Sequence, residues 1–431
     1  MHTRLPVLRQ IYDGLAAHKT HPVVQASRLI STSCALCDRP QFQQGDRVLL
    51  ETRYGTKVIR KLSGQLQRDQ FTVINNDQIH HSSIIGQRPP LRIDPVSKDG
   101  TARFPVFVIQ PELETFTAES PRRVMPIYAS YGATIVNLLD IHVRPPAHSK
   151  SASITPDLEI LEAGTGHGAL TMQLSRAIAA GNHPLPQRED FDSSGAFAIA
   201  VEAWKKKRSA VVHTVDVDPL NCRHAEKVIA SFRGGIYVPH IDFHAGAAMD
   251  WIHEQMASRN QYQFLDTVVL DMPDVHNNLA VAANALRDGG QVLVFVPQIT
   301  QIAACVQEIM NKRLPLKMRQ VVELGEGIST GRVWDVRLAN VRKLEREAMK
   351  KAQGDVSAKT EATEEAATLR SDEAEIPQVT IPPMVCRPKV WEVTRGGGFI
   401  GLWTRSMAGP GPAFSYPALP KLTETGILFQ E

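Results

Sequence analysis

Cysteine is sparse in this chain, five residues in 431, and only Cys34 and Cys37 lie close enough together to suggest metal or redox chemistry. A structural zinc site needs four ligands, and Cys222, Cys305 and Cys386 stand singly, so no metal site is expected and the thiols read as reduced core or surface groups. No stretch reaches the roughly 18 apolar residues of a membrane-spanning helix, so no membrane partner is expected. A large excess of one charge is also lacking: 48 basic against 45 acidic residues leave a formal net charge of +3. Such mild basicity is compatible with a nucleic-acid partner and does not require one. The basic runs Arg122-Arg123 and Lys205-Lys206-Lys207-Arg208 are candidate phosphate contacts or plain solvated surface. What is present, 43% hydrophobic residues over this length, suffices for one large domain with accessories.

The most informative stretch is Ile160 to Leu170, reading ILEAGTGHGAL, in which an apolar strand runs through an acid into a glycine-rich turn and then a helix over Ala169 to Ala179. Gly164, Gly166 and Gly168 permit a tight turn and a close backbone approach to a ligand, and the first N–H groups of the helix lack partners. A dinucleotide fingerprint has similar glycines, but its ribose-binding acid lies about 20 residues downstream. Here Glu162 stands two residues before the first glycine, the arrangement of S-adenosylmethionine-dependent methyltransferases. Glu162, Gly164, Thr165, Gly166, His167 and Gly168 are therefore candidate cofactor-binding residues. A glycine-rich turn without a ligand is the alternative.

The following elements repeat one pattern. Ala210 to Val217 reads as a buried strand ending in Asp216, placed to accept hydrogen bonds from both hydroxyls of a ribose. Tyr237 to Phe243 reads as a third strand carrying Asp242, suited to an adenine amino group. Thr267 to Leu270 is a fourth, followed by Asp271-Met272-Pro273-Asp274. Sites of open α/β sheets lie outside the carboxyl ends of their strands, where all four acids are expected.

Around this α/β core, residues 39 to 118 read as a small β-rich domain, with strand-like runs Arg47 to Thr52, Phe71 to Ile74 and Val106 to Ile109. Residues 119 to 406 form the catalytic domain, entered through a helix within 121 to 144. Insertions span 183 to 210 and 342 to 376; the second, charged and without aromatic residues, reads as disordered or as a solvated helix between the last two strands. Residues 407 to 431 form a Pro-rich tail. Met1 to Ser33, with Arg4, Arg9, Lys19 and Arg28 against the single acid Asp13, reads as a mitochondrial transit peptide removed near residues 30 to 38; a cytosolic or nuclear tail is the alternative.

The order of motifs resembles the catalytic subunit of the tRNA (adenine-58-N1)-methyltransferases over roughly residues 43 to 403. The resemblance rests on Gly45-Asp46-Arg47-Val48-Leu49-Leu50, Ile127-Tyr128, Glu162-Ala163-Gly164-Thr165-Gly166, Arg223 with Ala225, Leu270-Asp271-Met272-Pro273, Asp288-Gly289-Gly290, Pro297 with Gln301, Arg332 with Trp334, and Gly398-Phe399-Ile400. It implies a Rossmann-like seven-stranded sheet using S-adenosylmethionine, with Asp271 as the catalytic acid that orients a flipped adenine. It also implies Glu162 on the amino-acid side of the cofactor, Asp216 on its ribose, Asp242 on its adenine, tRNA as partner, and a homotetramer or a heterotetramer with a noncatalytic sister subunit. Four departures bear on the cofactor and the target base. The family's Thr-Gln before Ile-x-Tyr, whose Gln helps bind the cofactor, is Val124-Met125, its Asp shortly afterwards is Tyr131, the aromatic residue after Leu-Asp-x-Pro is replaced by Asp274-Val275-His276, and its His-Thr-Gly near the end is Gly396-Gly397-Gly398. These leave open a catalytically impaired RNA-binding or assembly protein, or a methylase of another RNA base.

Overall fold

The computed structural model describes residues 40–54, 57–95, 103–146, 156–186, 190–325, 334–338, 384–388, 397–406, 421–423 and 426–428. The transit-peptide reading, Cys34 and Cys37, Arg332, the 342–376 insertion and nearly all of the tail lie outside these residues.

The first described region is built of β1 (Leu49–Tyr54), β2 (Lys57–Leu62), β3 (Phe71–Ile74), β4 (Asp77–His80), β5 (Leu91–Ile93) and β6 (Val106–Ile109). Four of them form an antiparallel sheet in the order β2-β1-β6-β5, and β3 pairs with β4 across the Asn75-Asn76 turn, both residues at positive φ. Period-two alternation places Leu50, Val106 and Val108 in a small core with Val48, Leu66, Ile74 and Ile79. The region joins the next through α1 (Leu113–Glu119): Leu62, Leu113 and Phe116 pack with Met172, Val228, Ile229 and Phe232. The Asp46 carboxylate also accepts the Gly234 N–H at 2.6 Å.

The main sheet follows α2 (Ala129–Leu139). Its elements run β7 (Leu158–Ala163), α3 (Ala169–Ile178), α4 (Ser194–Lys205), β8 (Ala210–Asp216), α5 (Pro219–Ala230), β9 (Ile241–Ala245), α6 (Ala248–Arg259), β10 (Leu265–Leu270), α7 (Val275–Ala285), β11 (Leu286–Val296), α8 (Ile299–Asn311) and β12 (Leu316–Leu324). A separate pair, β13 (Trp334–Leu338) and β14 (Met384–Pro388), precedes the last strand of the sheet, β15 (Gly398–Arg405). A short pair, β16 (Lys421–Thr423) and β17 (Gly426–Leu428), lies near the end of the chain. The seven strands lie in the order β12-β15-β11-β10-β7-β8-β9, with β15 antiparallel to both neighbours and β7 to β11 parallel. This is the expected Rossmann-like methyltransferase sheet. Helices cover both faces, so central strands such as β8 and β10 are buried almost without alternation, whereas the edge strand β12 is largely exposed. Leu161, Val268 and Leu270 face a core shared with α6, α7 and α8, whereas Ile160 and Val269 face α2 and α3.

The third parallel strand departs from the sequence reading. Val238–His240 is a single 3-10 turn started by Pro239, and the strand begins only at Ile241. The segment 183–210 contains α4, capped by the Ser193 hydroxyl, which accepts the Ala196 N–H; Trp204 anchors the helix by donating from its indole N–H to the His183 carbonyl.

Candidate functional site

The strand order reverses between β7 and β10, and the crevice outside their carboxyl ends is where an open α/β sheet receives a ligand. Glu162, Asp216 and Asp271 converge there. The Glu162 side chain is buried, and its Oε2 accepts hydrogen bonds from Thr171 Oγ1 at 2.6 Å and Thr214 Oγ1 at 2.8 Å. Burial pushes its carboxyl up to about 8; the two threonine bonds offset part of this, and the charges of Asp271 and Asp216 add to it. Burial likewise raises Asp271 to about 7, with the Asp216 charge as the second cause. No ion-pair partner faces any of these three carboxyls among the described residues.

The glycines between them act differently from one another. Gly164 has φ +100°, and a Cβ there would stand 2.0 Å from the Asp271 carbonyl oxygen, so the close approach it permits is to the neighbouring strand end. Gly168 has φ +83°, and a Cβ there would press on Ala225 and Ile229 of α5 at 3.1 Å. Gly166 donates its N–H to Asp216 Oδ2 at 2.9 Å under the Val124 side chain. Together they fold the loop back so that it starts α3 beside the three acids.

Thr165 and His167 turn their side chains into the protein. Thr165 Oγ1 shares a 2.7 Å hydrogen bond with Thr214 Oγ1, and the buried His167 ring shares one of 3.1 Å with Ser120 Oγ. Burial lowers His167 to about 4, with the neighbouring His224 adding to the effect, so the ring is neutral near pH 7. The segment before α2 crosses the cleft mouth: Met125, Pro126 and Ile127 line it together with Glu162, Gly164, Gly166 and Asp271. Met125 is 73% exposed, whereas Tyr131 is buried in the core against Tyr128.

Asp242 is corrected by the structure. It occupies the second position of β9, opposite His213 rather than Asp216, three residues below the carboxyl end of its strand. Its carboxylate takes a 2.6 Å bond from Arg208, and the end of the strand presents Ala245, Gly246 and Ala247 instead. Three acids, not four, therefore meet at the crevice. The run Lys205 to Arg208 precedes β8, at the amino end of the strands, whereas Arg123 reaches Asp218 and Asn221 at the carboxyl end. His276 lies half-buried in the first turn of α7, behind Asp274, which adopts a left-handed conformation. Thr171, Thr214, Asn221 and Ser120 escaped the sequence reading; threonine in a strand or helix carries no motif that marks it as a carboxylate partner. Among the described residues no group of three or more His, Cys, Asp or Glu could hold a metal ion.

The tRNA (adenine(58)-N(1))-methyltransferase TrmI of two Thermus thermophilus strains is 25% identical over 231 residues, which are 54% of this chain and 68% of each relative. A SAM-dependent O-methyltransferase from Thermotoga maritima superposes with TM-score 0.49 at 14% identity, covering 84% of this chain and 94% of its own. The tRNA (m1A58) methyltransferase TrmI of Aquifex aeolicus does so with TM-score 0.47 at 14% identity, covering 85% and 99%. No protein-family profile matches the chain.

Proposed function

We propose that this chain, a divergent relative of the tRNA (adenine-58-N1)-methyltransferases, is an S-adenosylmethionine-dependent enzyme that methylates N1 of adenine 58 in the tRNA T-loop. The observation that carries the reading is the trio of Glu162, Asp216 and Asp271, gathered at a glycine loop without a facing cation. A pyrophosphate would be repelled there. A ligand bearing an ammonium and a sulfonium would relieve the mutual repulsion of the acids and restore the charged forms of Glu162 and Asp271.

S-adenosylmethionine, when bound, supplies an electrophilic methyl group on a sulfonium. Glu162, its Oε2 committed to two threonines, presents its other oxygen to the ammonium. Asp216 serves the ribose. Asp271 accepts a hydrogen bond from the exocyclic amine of the target adenine, which aligns N1 for in-line attack and stabilises the positive charge that develops on the ring. Because the base must expose its Watson–Crick edge, it leaves the T-loop stack first. Tetrameric assembly and a mitochondrial matrix location, the latter resting on the basic composition of Met1 to Ser33, belong to the same reading.

Asp271→Ala tests it directly. Transfer of labelled methyl to T-loop RNA should fall about 100- to 1,000-fold in kcat, with cofactor affinity changed far less. Equal rates in wild type and variant would sink the assignment of Asp271. Cofactor binding without methylation of any T-loop adenine by the wild type would favour an RNA-binding protein that has lost catalysis.

A further inference from the structure

The Asp216 carboxylate is held on both oxygens before any ribose arrives. Its Oδ2 accepts the Gly166 N–H at 2.9 Å, while its Oδ1 accepts the Asp218 N–H at 2.9 Å and the Asn221 side-chain amide at 3.2 Å. A carboxylate oxygen has two lone pairs. Most of the Asp216 acceptor sites are thus engaged in the ligand-free protein, so these donors set where the carboxylate points.

What fixes the Asn221 amide lies outside the cofactor loop. Arg123 donates from Nε to Asn221 Oδ1 at 2.9 Å and from an Nη to Asp218 Oδ2 at 2.8 Å. With its carbonyl oxygen claimed by the guanidinium, Asn221 can offer Asp216 only its NH2 group. Arg123 belongs to the segment that covers the cleft mouth, which is pinned at two further points: Ser120 to His167, and the Pro121 carbonyl to the His224 ring at 2.9 Å. Exposed ion pairs contribute little to stability, and Arg123 and Asp218 keep 40% and 37% of their side chains exposed. A contribution to the fold therefore accounts poorly for a guanidinium that forks to two partners of one carboxylate.

We propose that Arg123 is a positioning residue for the cofactor ribose: through Asn221 and Asp218 it fixes the orientation of the Asp216 carboxylate that receives the ribose hydroxyls. This rests on the cofactor reading above. Lysine at this position could reach only one of the two partners, because it lacks the fork.

Calorimetry on the full chain with S-adenosylhomocysteine and its analogue lacking both ribose hydroxyls separates the possibilities. The wild type should prefer the natural ribose about tenfold or more, the contribution expected of a hydrogen bond to a charged group. Arg123→Met should bring that ratio to within about threefold by weakening the natural ligand while leaving the analogue nearly unchanged. Arg123→Lys should fall between, and Asn221→Ala, which keeps the Arg123 to Asp218 pair, should reproduce the Arg123→Met result. Equal weakening of both ligands, or an unchanged ratio in Arg123→Met and Asn221→Ala, would overturn the proposal. Failure of the wild type to bind either ligand would remove the cofactor reading itself, and this inference with it.

Discussion

The two ends of the parallel strands in the main sheet treat buried acids in opposite ways. At the amino end Glu159 is fully buried, yet its oxygens meet Arg259 at 2.8 Å and the His213 ring at 3.2 Å; Asp266 is held by Arg287 and Asp242 by Arg208. Burial alone would raise Glu159 and Asp242, but hydrogen bonds and charge from these partners outweigh it, and both carboxyls are shifted below their ordinary values. Asp266 is raised, because burial outweighs the Glu159 N–H and Arg287. Three residues along the same strand, Glu162 points to the other face, receives only hydroxyls and is pushed up to about 8. Arginines complete the amino end. Among the described residues, no cation of the chain pairs with the acids at the carboxyl end.

The largest effect should come from breaking the completed end. Arg259→Met removes the closest partner of Glu159 and the guanidinium stacked 4.5 Å from the Phe264 ring centroid. A buried acid deprived of its cation costs about 3–5 kcal/mol, and the lower part of that range applies because His213 remains and Arg287 stands 3.9 Å away. Denaturant unfolding should show this loss, and a second substitution, Glu159→Gln, should recover most of it. Loss of less than about 1 kcal/mol would mean that the two ends do not differ as described.

An intermediate effect is expected from the end that awaits its ligand. In Glu162→Gln the side-chain carbonyl can still accept from Thr171 and Thr214, so the ligand-free protein should be as stable as wild type or more so. The group facing the cleft, however, becomes a donor. Affinity for S-adenosylmethionine should fall roughly ten- to hundredfold, about 2 kcal/mol, as expected for losing a charged hydrogen bond. A variant that loses stability while keeping its affinity would reverse the comparison.

The carboxyl end was legible in the sequence because an acid that closes an apolar strand is carried to the crevice by the topology alone, as Glu162, Asp216 and Asp271 are. The amino end was not. Glu159 and Arg259 are 100 residues apart, and so pair only once α6 has packed on the sheet. Asp242 was misassigned for the same reason: Arg208, 34 residues earlier, claims it, and the turn at Val238–His240 delays its strand so that the acid falls short of the edge. The glycines were legible as a tight loop, but only the structure shows that Gly164 makes room for the Asp271 carbonyl and Gly168 for α5. His167 was legible as part of the loop that lines the cleft, but only the structure shows that its side chain ties the loop to Ser120.

The smallest effect is a dependence on pH, read as a difference between wild type and Glu162→Gln. Glu162 rises from an ordinary value of 4.5 to about 8 on folding, so across that interval the folded protein binds a proton that the unfolded chain has released. Stability from this group is therefore lost as pH rises toward and through 8 and changes no further above it. Burial lowers His167, His240 and His244 to about 4, which makes stability increase with pH between about 4 and 6.5 and masks the acid in that range. From pH 7 to 8.5 these three histidines contribute little, and Asp271, raised to about 7, is present in both proteins, so the comparison with Glu162→Gln carries the signal. Over that interval the stability of the ligand-free wild type should drop by about 1 kcal/mol relative to Glu162→Gln. Saturating S-adenosylmethionine should abolish the difference in slope, because its ammonium holds Glu162 charged in the folded state. Parallel unfolding curves for wild type and variant across this window, without ligand, would show that Glu162 is already ionised, and the contrast between the two ends of the sheet would then rest on geometry alone.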